Sequence, residues 1–170
     1  QTGEEMACNK TIETRGHLQL FAISRERYQN DYLEGASMME PKDATLFVIN
    51  PEFIGNGVGW TMVGTWGNQR FNGAVEVWHS TNFSFSQTIA NLPNGTYRVT
   101  CQMANGESRN TGYLYAMSGD AISKDVVKAS AVGSNFDAER DKMAADSSYG
   151  KLSVEVKVAN NALTIGIEEP

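Results

Sequence analysis

The sequence contains little of what most enzymes and metal centres use. Its 170 residues include two cysteines and two histidines, and neither His17 nor His79 has a nucleophile or metal-binding motif around it. There is no Gly-x-Ser-x-Gly elbow, no His-Glu-x-x-His, no phosphate-binding loop and no Cys-x-x-Cys. The 20 acidic residues include enough carboxylates for a glycosidase pair, but no pattern selects two of them. We therefore expect a domain without enzymatic activity.

Runs of basic residues and long apolar runs are also lacking. The formal net charge is -6, and Lys and Arg do not cluster, which argues against a protein that binds a phosphate backbone. No stretch approaches the roughly 18 to 20 apolar residues of a membrane span. The first residues lack the basic, apolar and small-residue order of a signal peptide. We expect no nucleic-acid partner and no membrane span, and either a leader that was removed or a chain cut from a longer protein.

The two cysteines, Cys8 and Cys101, leave the redox compartment open. They could form one disulfide that ties the N-terminal segment to the rest of the chain. The other interpretation is a buried thiol, because Cys101 falls on the inward side of its predicted strand, where it acts as a small apolar residue. We favour the buried thiol.

What the chain does contain is period-two alternation, seen best in residues 82–101. Large side chains alternate with small polar ones on both sides of a central turn, as expected for half-buried strands. The turn is Leu92-Pro93-Asn94-Gly95, in which Pro93 presets one backbone angle and Asn94 and Gly95 tolerate positive φ. This pattern predicts two strands paired as a hairpin.

Similar short strands separated by Gly and Asn turns continue along the chain. With 41% apolar residues, 170 residues suffice for one domain with a normal core. Residues 120–130 fit either an edge strand or a helical turn, and residues 136–148 fit a short helix or a structured loop. The other predicted strands span residues 46–50, 60–63, 74–78, 112–119 and 152–158, and a final one starts at residue 162. The pattern is typical of an all-β sandwich or barrel.

The first 43 residues differ in texture from the rest. An apolar run from Gly16 to Ser24 predicts a strand. Ser24 could cap a short helix that ends near Gly35, and the alternative is an extended charged linker. Pro41 and Asp43 mark a break. We therefore divide the chain into an N-terminal segment of mixed strand and helix, residues 1–43, and a main domain, residues 44–170.

Several segments together resemble the galactose-binding-like jelly-roll domains. They are NPEF at residues 50–53, the glycine-rich approach to Trp60, EVW at residues 76–78, SQTIANLPNGTY at residues 86–97 and GKLSVEVKVANNALTIGI at residues 150–167. Such domains are accessory modules of secreted and surface glycan-processing proteins, particularly of gut Bacteroidetes. The resemblance implies a jelly-roll β-sandwich, a secreted, periplasmic or cell-surface location, and a non-catalytic carbohydrate-binding role. The alternatives are a structural or protein-interaction module without a glycan ligand and, less favoured, a fragment of a glycoside hydrolase.

The resemblance has two further implications. These domains usually continue beyond the equivalent of Ile167 into another strand with an aromatic-Asp-Asn pattern, so the last strand is apparently missing, or the N-terminal segment adds it. They also often carry a structural calcium ion. Asn50, Glu52 and Asn56 offer oxygen atoms for one, but no spacing here is diagnostic and no metal is assigned. The partners implied are a glycan or a neighbouring domain of the same polypeptide.

Two polar loops carry the residue types that bind sugars. A sugar places its apolar C–H face on an aromatic ring while its hydroxyls take fixed polar partners. TWGNQRFNG and NGESRNTGY would form the walls of one site if they lie at the same end of the sandwich. The alternative is that Trp66 is a core or lid residue and the polar residues are solvated turn formers; Trp60 and Trp78 are predicted to be core. The candidate ligand-binding residues are Trp66, Asn68, Arg70, Asn105, Arg109 and Tyr113.

Overall fold

A computed structural model describes residues 18–25, 33–64, 68–78, 82–106, 111–131 and 135–170. Strands dominate these ranges, and a 3-10 turn spans Thr45–Phe47. The elements are β1 (Gln19–Arg25), β2 (Lys42–Asp43), β3 (Thr61–Gly64), β4 (Asn68–Phe71), β5 (Val75–Trp78), β6 (Phe83–Ala90), β7 (Gly95–Gln102), β8 (Ala104–Asn105), β9 (Tyr113–Ser118), β10 (Ala121–Val126), β11 (Ala129–Ser130), α1 (Phe136–Ala145), β12 (Lys151–Val158) and β13 (Ala162–Glu169).

Two antiparallel sheets form the body of the fold. One has four strands in the order β12-β7-β1-β2, and the other has five in the order β10-β9-β13-β6-β3. The short pairs β4–β5 and β8–β11 lie outside them, the second being parallel. The prediction of an all-β sandwich is confirmed. The jelly-roll connectivity within that class stays a prediction.

The core follows from the alternation along the strands. Every second side chain of β12 is buried, and the same holds for most of β6, β7 and β9, so each sheet turns one apolar side inwards. The buried residues form one cluster, and burial of each large apolar side chain contributes about 1.5–3 kcal/mol. The largest fully buried side chains are Tyr97, Phe85, Leu18, Leu20, Leu33, Leu92, Leu114, Leu152, Leu163, Ile165 and Val99.

The predicted hairpin over residues 82–101 is wrong, although both of its strands exist. β6 pairs with β13 and β3, whereas β7 pairs with β12 and β1, so the two strands belong to opposite sheets. Leu92 and Pro93 are buried in the connection, and the Tyr97 hydroxyl donates to the Pro93 carbonyl at 2.7 Å. The turn residues therefore carry the chain across the sandwich instead of along one sheet.

The connection from β12 to β13 also passes from one sheet to the other, and hydrogen bonds join it to the connection from β6 to β7. The Leu92 N–H donates to the Asn161 carbonyl at 3.0 Å. The Asn161 N–H donates to Asn94 Oδ1 at 2.9 Å, and Asn161 Nδ2 donates to the Leu92 carbonyl at 3.1 Å. Asn161 has φ of 58°, a left-handed conformation that Asn tolerates better than most residues. These bonds join the two sheets at one end.

The predicted strand at residues 46–50 is also wrong. The segment begins in the 3-10 turn and continues in bends, with Leu46 and Ile49 more than half exposed. It is held to the sheet by the inward-facing amide of Gln87, which accepts from the Ile49 N–H at 2.7 Å and donates to its carbonyl at 2.9 Å. A short apolar run does not distinguish a strand from other structures that border a core.

The N-terminal segment contributes a strand of its own. β1 lies between β7 and β2 in the four-stranded sheet. The prediction that Ser24 caps a helix is wrong, because Ser24 lies in β1 opposite Thr96. Residues 26–32, in which the rest of that helix or linker was expected, lie outside the described ranges.

Three further predictions, for a helix, an edge strand and a buried thiol, can be compared with the structure. The helix predicted within residues 136–148 is confirmed as α1, with Asn135 Oδ1 accepting from the Ala138 N–H at 3.2 Å. Residues 121–126 form the edge strand β10. Cys101 is a buried free thiol, and burial together with the charge of Asp125 raises its pKa to about 12, so it is protonated and unreactive at neutral pH. Cys8 lies outside the described ranges.

Candidate functional site

Two of the six predicted ligand-binding residues, Trp66 and Arg109, lie outside the described ranges. Asn68 begins β4, opposite Trp78 in β5, and only its backbone is described. Residues 68–71 therefore form a strand, and the prediction that TWGNQRFNG is one continuous loop is wrong.

Arg70 lies in β4 and is held by α1. Its Nη2 atom donates to both carboxylate oxygens of Asp137, at 3.0 and 3.2 Å. The guanidinium carbon also lies 4.6 Å from the centre of the Phe136 ring, a cation–π contact. Both side chains of the ion pair are about half exposed. Arg70 thus docks the β4–β5 hairpin onto the helix.

Asn105, in β8, is engaged by a different partner. Its Nδ2 atom donates to Glu169 Oε2 at 3.0 Å, and the Thr111 hydroxyl donates to the other oxygen of the same carboxylate. Glu169 is 8% exposed, so these neutral donors satisfy a buried charge at the end of β13. Asn105 therefore anchors the C-terminal strand to the loop that precedes β9.

Tyr113, the sixth predicted residue, opens β9 and lies on an outer surface. Leu114 and Ala116 of β9 are fully buried, so the residues that alternate with them point away from the core. These are Tyr113, Tyr115 and Met117. The register carries the same outward side across the neighbouring strands.

We call this surface the tyrosine face. It consists of the outward side chains at paired positions of β10, β9, β13 and β6. The three β6 residues in it all carry hydroxyl groups. Its residues are Ile122, Lys124 and Val126 of β10, Tyr113, Tyr115 and Met117 of β9, Thr164, Gly166 and Glu168 of β13, and Ser84, Ser86 and Thr88 of β6.

The ring of Tyr115 lies along the sheet instead of projecting from it. In the register, Tyr115 stands beside Gly166, and Gly166 stands beside Ser86. A Cβ atom added at Gly166 would lie 2.8 Å from Tyr115 Cε1 and Cζ. Ser86 of β6 lowers the pKa of Tyr115, so the ring extends across β13 and its hydroxyl lies near β6. The ring therefore occupies the space that a side chain at position 166 would fill.

Tyr113 stands at an angle to this ring. The centres of the two rings are 6.3 Å apart and their planes meet at 65°. Lys124 Nζ lies 4.1 Å from the centre of the Tyr113 ring, a cation–π contact. Lys124 therefore fixes the outer edge of the pair, next to the edge strand β10.

The ionisation states at the tyrosine face follow from these contacts. Burial raises the pKa of Tyr115, with Glu168 and Tyr113 acting in the same direction against the hydrogen bond from Ser86 and the charge of Lys124. The hydrogen bond with Tyr113 raises the pKa of Lys124, despite some desolvation. At neutral pH the phenol of Tyr115 is therefore protonated and the amine of Lys124 is charged, so both groups can donate hydrogen bonds.

Two of the three side chains named for calcium, Asn50 and Asn56, make hydrogen bonds within their own loop. Asn50 Nδ2 donates to the carbonyls of Ile54 and Asn56, at 3.3 and 2.9 Å, and Asn50 Oδ1 accepts from the Ile54 N–H at 3.0 Å. Asn56 Oδ1 accepts from the Val58 N–H at 3.1 Å. Among the described residues, no group of three His, Cys, Asp or Glu side chains is placed to hold a metal ion.

Sequence reasoning missed Tyr115, Gly166, Ser86, Lys124 and Glu168. The signal was present in GYLYAMSG, where small apolar residues alternate with tyrosines and so leave the tyrosines outside. Tyr113 was selected as part of a loop, and it lies in a strand. The side chain of Trp60, predicted to be core, is buried and stacks on Phe85 with ring centres 4.5 Å apart. Trp78 lies in β5, and its side chain is not described.

Comparison of the chain with protein-family models, with curated proteins and with solved structures finds no match. The resemblance to galactose-binding-like domains stays a prediction. In the part of the chain that the structure describes, no helix has the length and apolar character needed to span a membrane.

Proposed function

We propose that this domain is a non-catalytic carbohydrate-binding module of a secreted or cell-surface glycan-processing protein, and that it binds sugar on the tyrosine face. The observation that supports the proposal is the ring of Tyr115, which lies over Gly166 on the outer surface of the sheet. A flat exposed aromatic ring is what the apolar C–H side of a sugar stacks on.

The surroundings of the ring provide polar partners of the right kind. Ser84, Ser86, Thr88 and Thr164 bring hydroxyl groups to the same surface, and the hydroxyls of Thr88 and Thr164 are 2.9 Å apart. Sugar sites combine an aromatic platform with a few fixed hydrogen-bonding groups, and such groups on strands are held more rigidly than groups on loops. The proposal thus places the site on the sheet, beside the predicted loops.

A glycan array followed by titration calorimetry tests the proposal. We expect the wild-type domain to bind at least one glycan, and Tyr115→Ala to weaken that binding tenfold or more, about 1.4 kcal/mol. Arg98→Ala, which removes a large side chain from the outer side of the other sheet, is the matched control and should bind like the wild type. Tyr115→Phe keeps the ring and should retain most of the affinity, so that loss of folding is not mistaken for loss of binding. Equal binding by wild type and Tyr115→Ala would contradict the proposal.

A second candidate function has its own observation. Within residues 46–63, the exposed fractions are 61% for Leu46, 57% for Ile49, 60% for Ile54, 61% for Val58 and 59% for Val63. Apolar side chains concentrated on a surface often mark a protein contact. If the array finds no ligand, a module that packs against a neighbouring domain becomes the better proposal. Replacement of Ile54 and Val58 by Ser should then weaken association with that domain, whereas Tyr115→Ala should not.

A further inference from the structure

We infer that the tyrosine face receives the uncharged ring at the end of a glycan chain, and not an internal stretch of several sugars. This inference rests on the proposed function and specifies its ligand. The observations behind it are the angle between the Tyr113 and Tyr115 rings, the position of the Tyr115 ring over Gly166, and the opposite charges of Lys124 and Glu168.

The platform accommodates one sugar ring. Tyr115 can lie over β13 because the position beside it in that strand is Gly166, which has no side chain. The next outward positions of β13 are Thr164 and Glu168, whose side chains stand on either side of this gap. The flat aromatic surface is therefore about as large as one tyrosine ring.

The second tyrosine closes one side of the platform instead of extending it. A chain of stacked sugars needs aromatic rings that are close to coplanar, so that successive sugar rings can lie on them. The planes of Tyr113 and Tyr115 meet at 65°, and Lys124 holds Tyr113 with its Nζ atom 4.1 Å from the ring centre. A sugar stacked on Tyr115 meets Tyr113 as a wall at its edge. Such a corner fits a chain end, from which the rest of the glycan leaves on the open side.

The charges around the corner favour a neutral sugar. Lys124 and Glu168 both lie on the tyrosine face, and each interacts electrostatically with Tyr115. The single positive charge of Lys124 is therefore offset by the carboxylate of Glu168. The other polar groups around the ring are hydroxyls, those of Ser84, Ser86, Thr88, Thr164 and Tyr115. The chain as a whole has a formal charge of -6, which also disfavours an acidic glycan at long range.

Titration calorimetry of the full chain with defined sugars tests the inference. The probes are neutral gluco-, xylo-, manno- and galacto-oligosaccharides of one to five units, together with glucuronic and galacturonic acid as acidic counterparts of glucose and galactose. In the series that binds, we expect Kd to change less than threefold between two and five units. We expect the neutral monosaccharide to bind at least tenfold more tightly than its acid.

A second experiment varies the number of glycan chain ends. The polysaccharide of the same series is digested partially with an endo-acting enzyme, which creates new ends without changing the sugar. For recognition of ends, the number of binding sites per gram should rise in proportion to the ends produced. For recognition of internal segments, it should stay constant or fall.

A pair of variants tests the charge argument. Glu168→Gln leaves Lys124 uncompensated and should raise the affinity for the acid at least threefold, whereas Lys124→Met should not. Affinity that rises tenfold for each sugar up to four units, or a wild-type preference for the acid, would overturn the inference while the proposed function stands, provided that Tyr115→Ala still weakens binding tenfold or more. Absence of binding to every probe overturns both.

Discussion

The two outer surfaces of the sandwich are built by the same alternation and yet differ in character. On the four-stranded sheet, Arg98 of β7 stands directly opposite Glu155 of β12, and its Nε and Nη2 atoms donate to Glu155 Oε1 at 2.9 and 2.7 Å. On the five-stranded sheet, the corresponding surface is the tyrosine face. We call the first surface the charged face; its outward residues include Gln19 and Phe21 of β1, Thr96, Arg98 and Gln102 of β7, and Lys151, Ser153, Glu155 and Lys157 of β12.

The difference lies in where the side chains find partners. On the charged face, oppositely charged groups pair across neighbouring strands, which satisfies them and keeps the surface soluble. On the tyrosine face, Tyr115 rests on backbone, and Met117, Ile122 and Val126 are 37%, 53% and 45% exposed. A surface that retains aromatic and apolar area in contact with water has the more to gain from a ligand. This comparison, more than any single residue, supports binding on the five-stranded side.

The largest effect that we expect comes from Gly166→Val. A strand position normally gains from valine, because valine suits the pleated backbone better than glycine. Here a Cβ atom would lie 2.8 Å from both the Phe85 carbonyl oxygen and the Tyr115 ring. We expect the free energy of unfolding, measured by urea denaturation, to fall by about 3 kcal/mol, and glycan binding to be lost.

Thr164→Val is the control for this substitution. Thr164 lies on the same strand and the same outer surface, and it loses only an exposed hydroxyl contact with Thr88. Its cost should stay within about 0.5 kcal/mol. The double variant Gly166→Val/Tyr115→Ala should recover part of the lost stability, because it removes the ring. If the two losses simply add, Tyr115 does not depend on the gap at Gly166, and the distinction between the two faces is weakened.

A smaller effect is expected from Asp125, which lies on the same strand as Lys124 but points to the opposite side. Its carboxylate accepts from Lys128 Nζ at 2.8 Å and from the Ser153 N–H of β12 at 2.9 Å. It thereby links an edge strand of one sheet to an edge strand of the other. Burial opposes ionisation of Asp125, but these hydrogen bonds outweigh it and lower the pKa of the carboxyl below its usual 3.8.

The sign of the pH dependence follows directly. Because the pKa is lower in the folded than in the unfolded chain, the stabilisation is complete above pH 3.8 and is lost as the pH falls through the folded value. Asp125→Asn should reduce the free energy of unfolding by about 1.5 kcal/mol at pH 7, and the difference from wild type should shrink as the pH is lowered below 3.8. Asp120→Asn, in the exposed turn before β10, should show no such difference. A constant difference at all pH values would exclude the carboxylate bond as its cause.

The sequence allowed the positions of the strands to be predicted better than their pairing partners in the sheets. In β12, the alternation of Leu152, Val154, Val156 and Val158 with polar residues appears in the structure residue by residue. Alternation does not say which sheet a strand joins, and residues 82–101 were predicted as a hairpin for that reason. The decisive contacts, between Asn161 and the turn at Leu92 and Asn94, join positions far apart in the chain.

The candidate site shows the same division between local and distant information. Tyr113 and Tyr115 point outwards because they alternate with the buried residues Leu114 and Ala116. That the Tyr115 ring lies over β13 depends on Gly166, which the pairing of β9 with β13 brings beside it. No local pattern around Gly166 indicates this, because a glycine within a strand usually indicates a bulge or an edge. The interpretation of TWGNQRFNG as one loop was wrong because residues 68–71 form β4, and Arg70 in this strand contacts Asp137 of α1.

The smallest effect should come from the charged face itself. Arg98 and Glu155 are 31% and 46% exposed, and an ion pair this accessible to water contributes about 0.2–1 kcal/mol. A double-mutant cycle of Arg98→Ala and Glu155→Ala should give a coupling energy in this range at low salt, and a smaller one in 1 M NaCl, where screening is strong. Neither variant should alter glycan binding. If either one weakens binding as much as Tyr115→Ala does, the ligand does not distinguish the two faces, and the side of the sandwich on which it binds has to be assigned again.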